Sequence, residues 1–331
     1  TSDHCSLCDT KPRPFGRGLP LPLPRPGVNT GTASTKGLPM IYPTAAAYRD
    51  ASHKRVMLFG MSGLGKTHLS NLLRDAPRLQ GGGWFHYSVD YRIGTRYMDE
   101  YIADMFKREA MKNPLLRELL LSDSVYIASN ITFSNLAPLS TYLGKPGAAA
   151  QGGLPFAEYV KRQEQHREAE IAATLDAARF IERAEDIYGY RDFICDTSGS
   201  ICEVVDADDP GDPVMRQLAD TLLLVWIRGS EDHKEELIRR FDRAPKPIYY
   251  RPEFLAELWA EYLAQEGKPE AEVDPDAFLR FGYARLLDHR QPRYEAMARW
   301  GVTVTAEEVA DVRTPADFDR LIARAIDRRT A

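Results

Sequence analysis

Apolar residues in this chain fall into short runs set between longer helical patterns. Arg55-Val-Met-Leu-Phe59 and the segments 84–89, 192–196, 221–227 and 301–305 are short and apolar or β-branched, as buried strands are. Between the second and third runs, Tyr97–Arg108 and Asn113–Leu121 carry helical spacing, and Pro155–Tyr188 is a long Ala/Glu/Arg-rich helical stretch. Gly144-Lys-Pro-Gly-Ala-Ala-Ala-Gln-Gly-Gly153 reads as a flexible joint within that region. Short strands separated by helices predict an α/β fold, a mainly parallel sheet with helices on both faces. The helical block at about 99–188 reads as an insertion over one edge of it. The charge-rich stretch Lys161–Glu170 reads as a solvated helix face.

Residues 1–39 break the pattern. Pro-Leu-Pro-Leu-Pro-Arg-Pro at 20–26 and the Gly/Thr/Ser-rich run after it carry no periodic apolar face, so a disordered Pro/Gly-rich tail is expected there, with the folded domain over 40–331. Translation starting at Met40 is one expectation this raises, to be checked by intact mass. Cys5 and Cys8 resemble half a zinc knuckle, but no second Cys/His pair follows at zinc spacing. Four cysteines in 331 residues, without an apolar leader near the start, lead to the expectation of a reducing, cytoplasmic setting. A net charge of -5 gives no electrostatic case for nucleic acid. The longest apolar run, Leu222–Ile227, is far too short to span a bilayer.

The strongest chemical signal is Gly60-Met-Ser-Gly-Leu-Gly-Lys-Thr67, the spacing of a nucleotide-triphosphate P-loop. Glycines let successive N–H groups converge on phosphate oxygens where a Cβ would block them. Lys66 reaches the β- and γ-phosphates, and the Thr67 hydroxyl ligates Mg²⁺. The context agrees, because an apolar strand precedes the loop and a helical pattern follows it. All eight residues, Gly60, Met61, Ser62, Gly63, Leu64, Gly65, Lys66 and Thr67, are therefore expected to hold ATP.

Phosphoryl transfer needs charge neutralisation, a metal clamp and a positioned nucleophile. Asp196, at a strand end, is expected to hold Mg²⁺ with Thr67, which leaves Asp90 to orient or deprotonate an acceptor hydroxyl. Each carboxylate has a second reading as the cap of the helix that follows its strand. Arg92 and Arg96 follow Asp90 and would face an anionic substrate, or else be plain surface charges. Arg239, Arg240 and Arg243 lie at a helix end; Arg243 is the expected catalytic cation, screening the γ-phosphate on closure.

Four places downstream resemble the P-loop small-molecule kinases, most closely the shikimate kinase-like group. Asp90 in Ser-Val-Asp-Tyr-Arg stands where those kinases keep an acidic residue near Mg²⁺ and the acceptor. Asp196-Thr-Ser-Gly-Ser200 stands where they carry a glycine triplet beside the substrate, which implies substrate contacts for Ser198 and Gly199. Leu222–Arg228 leading to Glu235–Arg243 and Pro245-Lys-Pro247 is similar to the strand-plus-lid segment, with Arg239 and Lys246 implied at the nucleotide. Arg290-Gln-Pro-Arg-Tyr-Glu-Ala-Met-Ala298 looks like the group's Arg-x-Pro-x-Tyr-x-x-x-Ala signature. The resemblance implies a five-stranded P-loop NTPase core and ATP/Mg²⁺-dependent phosphorylation of a hydroxyl on a small polar or anionic metabolite. A regulatory ATPase whose helical insertion engages a protein partner is the alternative. Neither reading includes a nucleic-acid or membrane partner.

Overall fold

Five short strands form one parallel sheet in the order β2-β3-β1-β4-β5. They are β1 (Arg55–Phe59), β2 (Phe85–Ser88), β3 (Phe193–Asp196), β4 (Leu223–Arg228) and β5 (Val302–Thr305). β1 sits at the centre, with Leu58 opposite Asp196 of β3 and Val225 of β4. Val56–Phe59 and Leu223–Ile227 are buried throughout, because helices cover both faces of the sheet. The computed structural model describes residues 38, 40–78 and 83–330. The expected tail over 1–39 lies outside them except at Leu38, as does the Cys5/Cys8 pair.

Parallel strands need long crossovers, and here the crossovers carry the helices. After a short α1 (Ala45–Arg49) and β1, α2 (Lys66–Asp75) starts at the glycine loop. Beyond β2 come α3 (Val89–Arg92), a π-helical turn, α4 (Asp99–Ala110), α5 (Pro114–Leu121), α6 (Ala137–Leu143) and the 33-residue α7 (Phe156–Tyr188). Between β3 and β4 stand α8 (Ile201–Val204) and α9 (Pro213–Thr221). α10 (Glu231–Arg243), α11 (Pro252–Glu266) and α12 (Pro275–Ala298) precede β5, and α13 (Ala306–Ala310) and α14 (Pro315–Thr330) follow it. Among the described residues, no helix is long and apolar enough to cross a membrane.

Two features differ from the sequence reading. The block at 99–188 does not end where the sheet begins. Ala169, Ala173, Ala177, Ile181 and Ala184 of α7 join the main core, so the second half of that helix is the crossover into β3. Its small side chains at helical spacing let the helix lie close on the sheet. The first half reaches a satellite cluster through Tyr159, which packs with Tyr250, Leu255 and Phe278.

The expected joint at 144–153 is tied down. The Gly147 N–H donates to Leu154 O at 2.9 Å, Leu154 N–H to Lys145 O at 2.8 Å and Ala148 N–H to Val273 O at 2.8 Å, while Lys145 pairs with Asp276. A Cβ on Gly153 would come within 2.4 Å of the Gly147 backbone. Glycine there serves close approach of two chain segments, not freedom of movement.

Candidate active site

The loop Gly60–Thr67 leaves β1 and enters α2 with Gly60, Gly63 and Gly65 at φ of +134°, +80° and +92°. Gly60 has no room for a side chain, since a Cβ would meet Ile227 O at 2.5 Å. With Gly65 at the N-cap, no side chain caps α2, so its first-turn N–H groups and the positive end of its dipole are left for an anion. Lys66 is folded back over the loop, its Nζ donating to Gly60 O at 2.7 Å and Met61 O at 2.8 Å. Burial lowers its pKa to about 8, against the pull of Asp90 and Asp196. Leu237 of α10 lies 3.6 Å from the place a Gly63 Cβ would take, so that helix covers the loop.

Thr67 donates its hydroxyl to Asp196 Oδ2 at 2.9 Å. The other carboxylate oxygen, Oδ1, is buried without a hydrogen-bond partner, 3.3 Å from His86 Nε2. A hydroxyl and an unsatisfied carboxylate oxygen beside a phosphate-shaped loop fit Mg²⁺, which takes few protein ligands and fills its shell with phosphate and water. Neither Asp90 nor Asp196 is a helix cap. Ser88 holds that position for α3, accepting from Tyr91 N at 3.5 Å, and Ser200 holds it for α8.

A cavity of about 280 Å³ adjoins the loop and is lined by Met61, Ser62 and Asp90 together with Ser198, Gly199 and Arg290. Burial, with Asp196 adding to it and Lys66 opposing, pushes the Asp90 carboxyl up to about 6. A Cβ on Gly199 would meet Ser62 Oγ at 2.9 Å, which explains a glycine at this contact. Lys246 stands at the cavity mouth, shared with an outer cavity of about 920 Å³ that also borders Leu136, Ser140 and Pro247.

Several residues expected here are elsewhere. Arg92 is turned to α7, with Nε 2.7 Å and Nη2 2.6 Å from Asp176 Oδ2 and the Phe180 ring under its guanidinium. Asp90 and Arg92 are two positions apart on one helix and face different ways. Arg96 is exposed and borders neither cavity. Arg239 is exposed on α10 and paired with Glu236 at 2.7 Å, and Arg243 is exposed at the end of that helix.

The cleft also holds groups that sequence reasoning missed. Glu170 is fully buried and takes hydrogen bonds from Ser198 and from Ser200 at 2.8 Å. Its burial outweighs those bonds and pushes its pKa up to about 7. His166 lies one helical turn away, its Nδ1 3.7 Å from Glu170 Oε2 and its ring stacked on Tyr249. Burial holds it neutral, down to about 4, with Arg290 adding to the effect. The segment expected to be a solvated face thus turns these two side chains inward. A signal existed: Tyr159, Gln163, His166, Glu170, Ala173 and Ala177 recur at spacings of three and four, one continuous stripe of α7. Arg290, inside the Arg-Pro-Tyr-Ala segment, gives Nε to Glu203 Oε1 at 2.9 Å and Nη2 to Tyr249 O at 2.8 Å.

A strand–glycine loop–helix unit at the centre of a five-stranded parallel sheet, with the loop at the carboxyl end of its strand, decides the architecture. This is a P-loop NTPase fold. No protein-family model matches the chain, and no curated protein does. Among solved structures it is similar to a shikimate kinase from Bacteroides thetaiotaomicron, at 16% identity and a TM-score of 0.33, over 84% of this chain and 96% of that one. A likeness that loose says nothing about the reaction.

Proposed function

We propose that the protein phosphorylates a hydroxyl on a small metabolite with ATP and Mg²⁺. One observation above all supports this reading: a single cavity has both loop residues, Met61 and Ser62, and the carboxylate Asp90 in its wall. The acceptor hydroxyl oxygen bonds to the γ-phosphorus as the bond from that phosphorus to the β,γ-bridging oxygen of ATP breaks. The hydroxyl proton passes to Asp90, and the products are a phosphate monoester, ADP and a proton. Lys66, released from its two loop carbonyls, meets the developing charge on the transferring group. Thr67 and Asp196 hold Mg²⁺, which supplies further charge neutralisation. Lys246 and an arginine of α10, Arg243 foremost, screen the phosphates by turning in from the exposed end of the helix that covers the loop, and Ser198 and Gly199 bound the acceptor.

A library of hydroxylated metabolites, scored for ATP consumption and for a mass gain of one phosphoryl group with and without chelator, tests the proposal. Failure of every compound to gain mass, by a protein that binds ATP, would sink it. A second reading rests on α5, which buries no residue and exposes Leu115, Leu116 and Leu121. In that reading the protein is a regulatory ATPase whose 99–188 segment grips a protein partner. ATP hydrolysis then accelerates with a macromolecule and not with any metabolite.

A further inference from the structure

The inner end of the cleft has a polarity of its own. Ser198 and Ser200 line it, their oxygens 2.9 Å apart and Ser198 Oγ accepting from Ser200 N–H at 3.3 Å; against an ionised Glu170 both turn their hydroxyl protons to it, Ser198 to Oε1 and Ser200 to Oε2. Their remaining capacity is for accepting hydrogen bonds. Tyr294 gives its proton to Gly199 O, leaving lone pairs on its phenolic oxygen, and Asp90 adds a carboxylate.

The cations nearby do little to offset this. Arg290 carries Glu203 at 2.9 Å and keeps only Nη1 uncommitted. Lys66 is turned into the phosphate loop, and Lys246 is exposed at the mouth. The ring of His166 is packed on Tyr249 with centroids 5.2 Å apart. Other walls of the same cavity are apolar, from Leu139, Leu143, Phe241 and Leu287.

We infer that the acceptor is an amphipathic amino alcohol and not a carboxylate. Its ammonium group bonds to Ser198 and Ser200 with Glu170 behind them, its hydroxyl faces Asp90, and its carbon skeleton lies on Phe241 and Leu287. A buried charge needs an opposite charge and hydrogen-bonding partners together. An ammonium finds both here. A carboxylate in the same place meets acceptors and the negative field of Asp90 and Glu170. The inference rests on the kinase reading only for the hydroxyl at Asp90; the charge preference is a property of binding.

Three probes share a phenylpropane body and carry a hydroxyl next to an ammonium, a second hydroxyl or a carboxylate: phenylalaninol, 3-phenylpropane-1,2-diol and 3-phenyllactate. Their binding to the full chain is measured by calorimetry at pH 8, where Glu170 is ionised, in the presence of Mg²⁺ and a non-hydrolysable ATP analogue. Phenylalaninol is expected to bind at least about tenfold more tightly than 3-phenyllactate, the scale of one charge-assisted hydrogen bond. In Glu170→Gln that ratio shrinks severalfold, and an unchanged ratio in a folded variant overturns the inference. The comparison within the native protein stands even if the variant does not fold. Equal or tighter binding of 3-phenyllactate overturns the inference, as does no binding of phenylalaninol at millimolar concentration. Separate outcomes bear on the kinase reading. Phenylalaninol that binds in the expected order but is never phosphorylated with ATP supports the inference and counts against the kinase. Phosphorylation of 3-phenyllactate in preference to phenylalaninol keeps the kinase and overturns the inference.

Discussion

At the loop end of the cleft the groups that face a ligand are backbone N–H groups of consecutive residues, whereas at the inner end they are side chains from α3, α7, the β3–α8 turn and α12. Glycines at positive φ shape the first, and a Cβ at Gly60 would strike Ile227 O. Folding assembles the second, through contacts such as Ser198 to Glu170 and Arg290 to Glu203. Backbone groups present the same pattern whatever side chains surround them, so the loop end suits a chemical group common to many molecules. Side chains present a pattern peculiar to one sequence, so the inner end suits one molecule. Charge follows a similar division: the loop offers donors, and the inner end offers mainly acceptors, its one buried cation, Arg290, being paired with Glu203.

The largest tests separate the two ends by mutation. Lys66→Ala should lower ATP turnover by about 10² or more, with or without acceptor, because a cation at the transferring phosphoryl acts on both reactions. Asp90→Asn should lower acceptor phosphorylation by about 10² and leave acceptor-free hydrolysis nearly intact. Steady-state rates on both variants decide the matter; equal losses of hydrolysis would erase the division. Asp196→Asn belongs with the loop end and should raise the Mg²⁺ concentration needed for half-maximal ATP use.

A smaller effect concerns pH. The Asp90 base works when ionised and titrates at about 6, so kcat/KM for the acceptor should be level above that pH and fall about tenfold per unit below it. A break at about 4 would show that burial does not raise the Asp90 carboxyl, and a break that Asp90→Asn leaves in place would mean that Asp90 is not the base.

Glu170 gives a stability test with a definite sign. Its folded pKa, about 7, is raised above the ordinary 4.5. The folded state therefore holds a proton that the unfolded state has lost between those values, and stability from this group is lost as pH rises through that window. Glu170→Gln removes the buried charge. Its Tm relative to the native protein should rise by a few degrees between pH 5 and pH 8. A constant difference across that range would show that the folded protein holds no extra proton there, Glu170 being already ionised at pH 5.

The smallest test concerns two arginines outside the cleft. Arg92→Ala leaves the half-buried Asp176 with only Tyr97 and Arg179 as partners and should cost about 1–2 kcal/mol of stability without altering the KM for ATP or acceptor. Arg96→Ala should be neutral to within about 0.5 kcal/mol.

The loop end was legible in the sequence because its geometry is local. Strand, glycines, Lys66 and Thr67 occupy one stretch, and β1 occupies 55–59 as its apolar run predicts. The inner end was legible only where a residue sat next to a strand, as Asp90, Ser198 and Gly199 do. Glu170 and His166 were hidden by their neighbours: Glu164, Arg167 and Glu168 mark a wet helix, and the inward stripe shows only at spacings of three and four. Arg92 misled through nearness in sequence, which on a helix puts a side chain on another face. The glycines of 144–153 misled because the residue that permits flexibility also permits tight contact, and only the fold distinguishes the two.

The long helix α7 carries a consequence for how such a protein diversifies. One unbroken rod holds Gln163, His166 and Glu170 at its first half and Ala173, Ala177 and Ile181 at its second. In the first set His166 lines the cavity, Glu170 holds Ser198 and Ser200 at its wall and Gln163 fixes the backbone at Ile248 and Tyr250, while the second set keeps the rod seated on the sheet. One helix thus carries both a wall of the cavity and a seam of the core, so a change at one end of the rod is felt through the same rigid element as a change at the other.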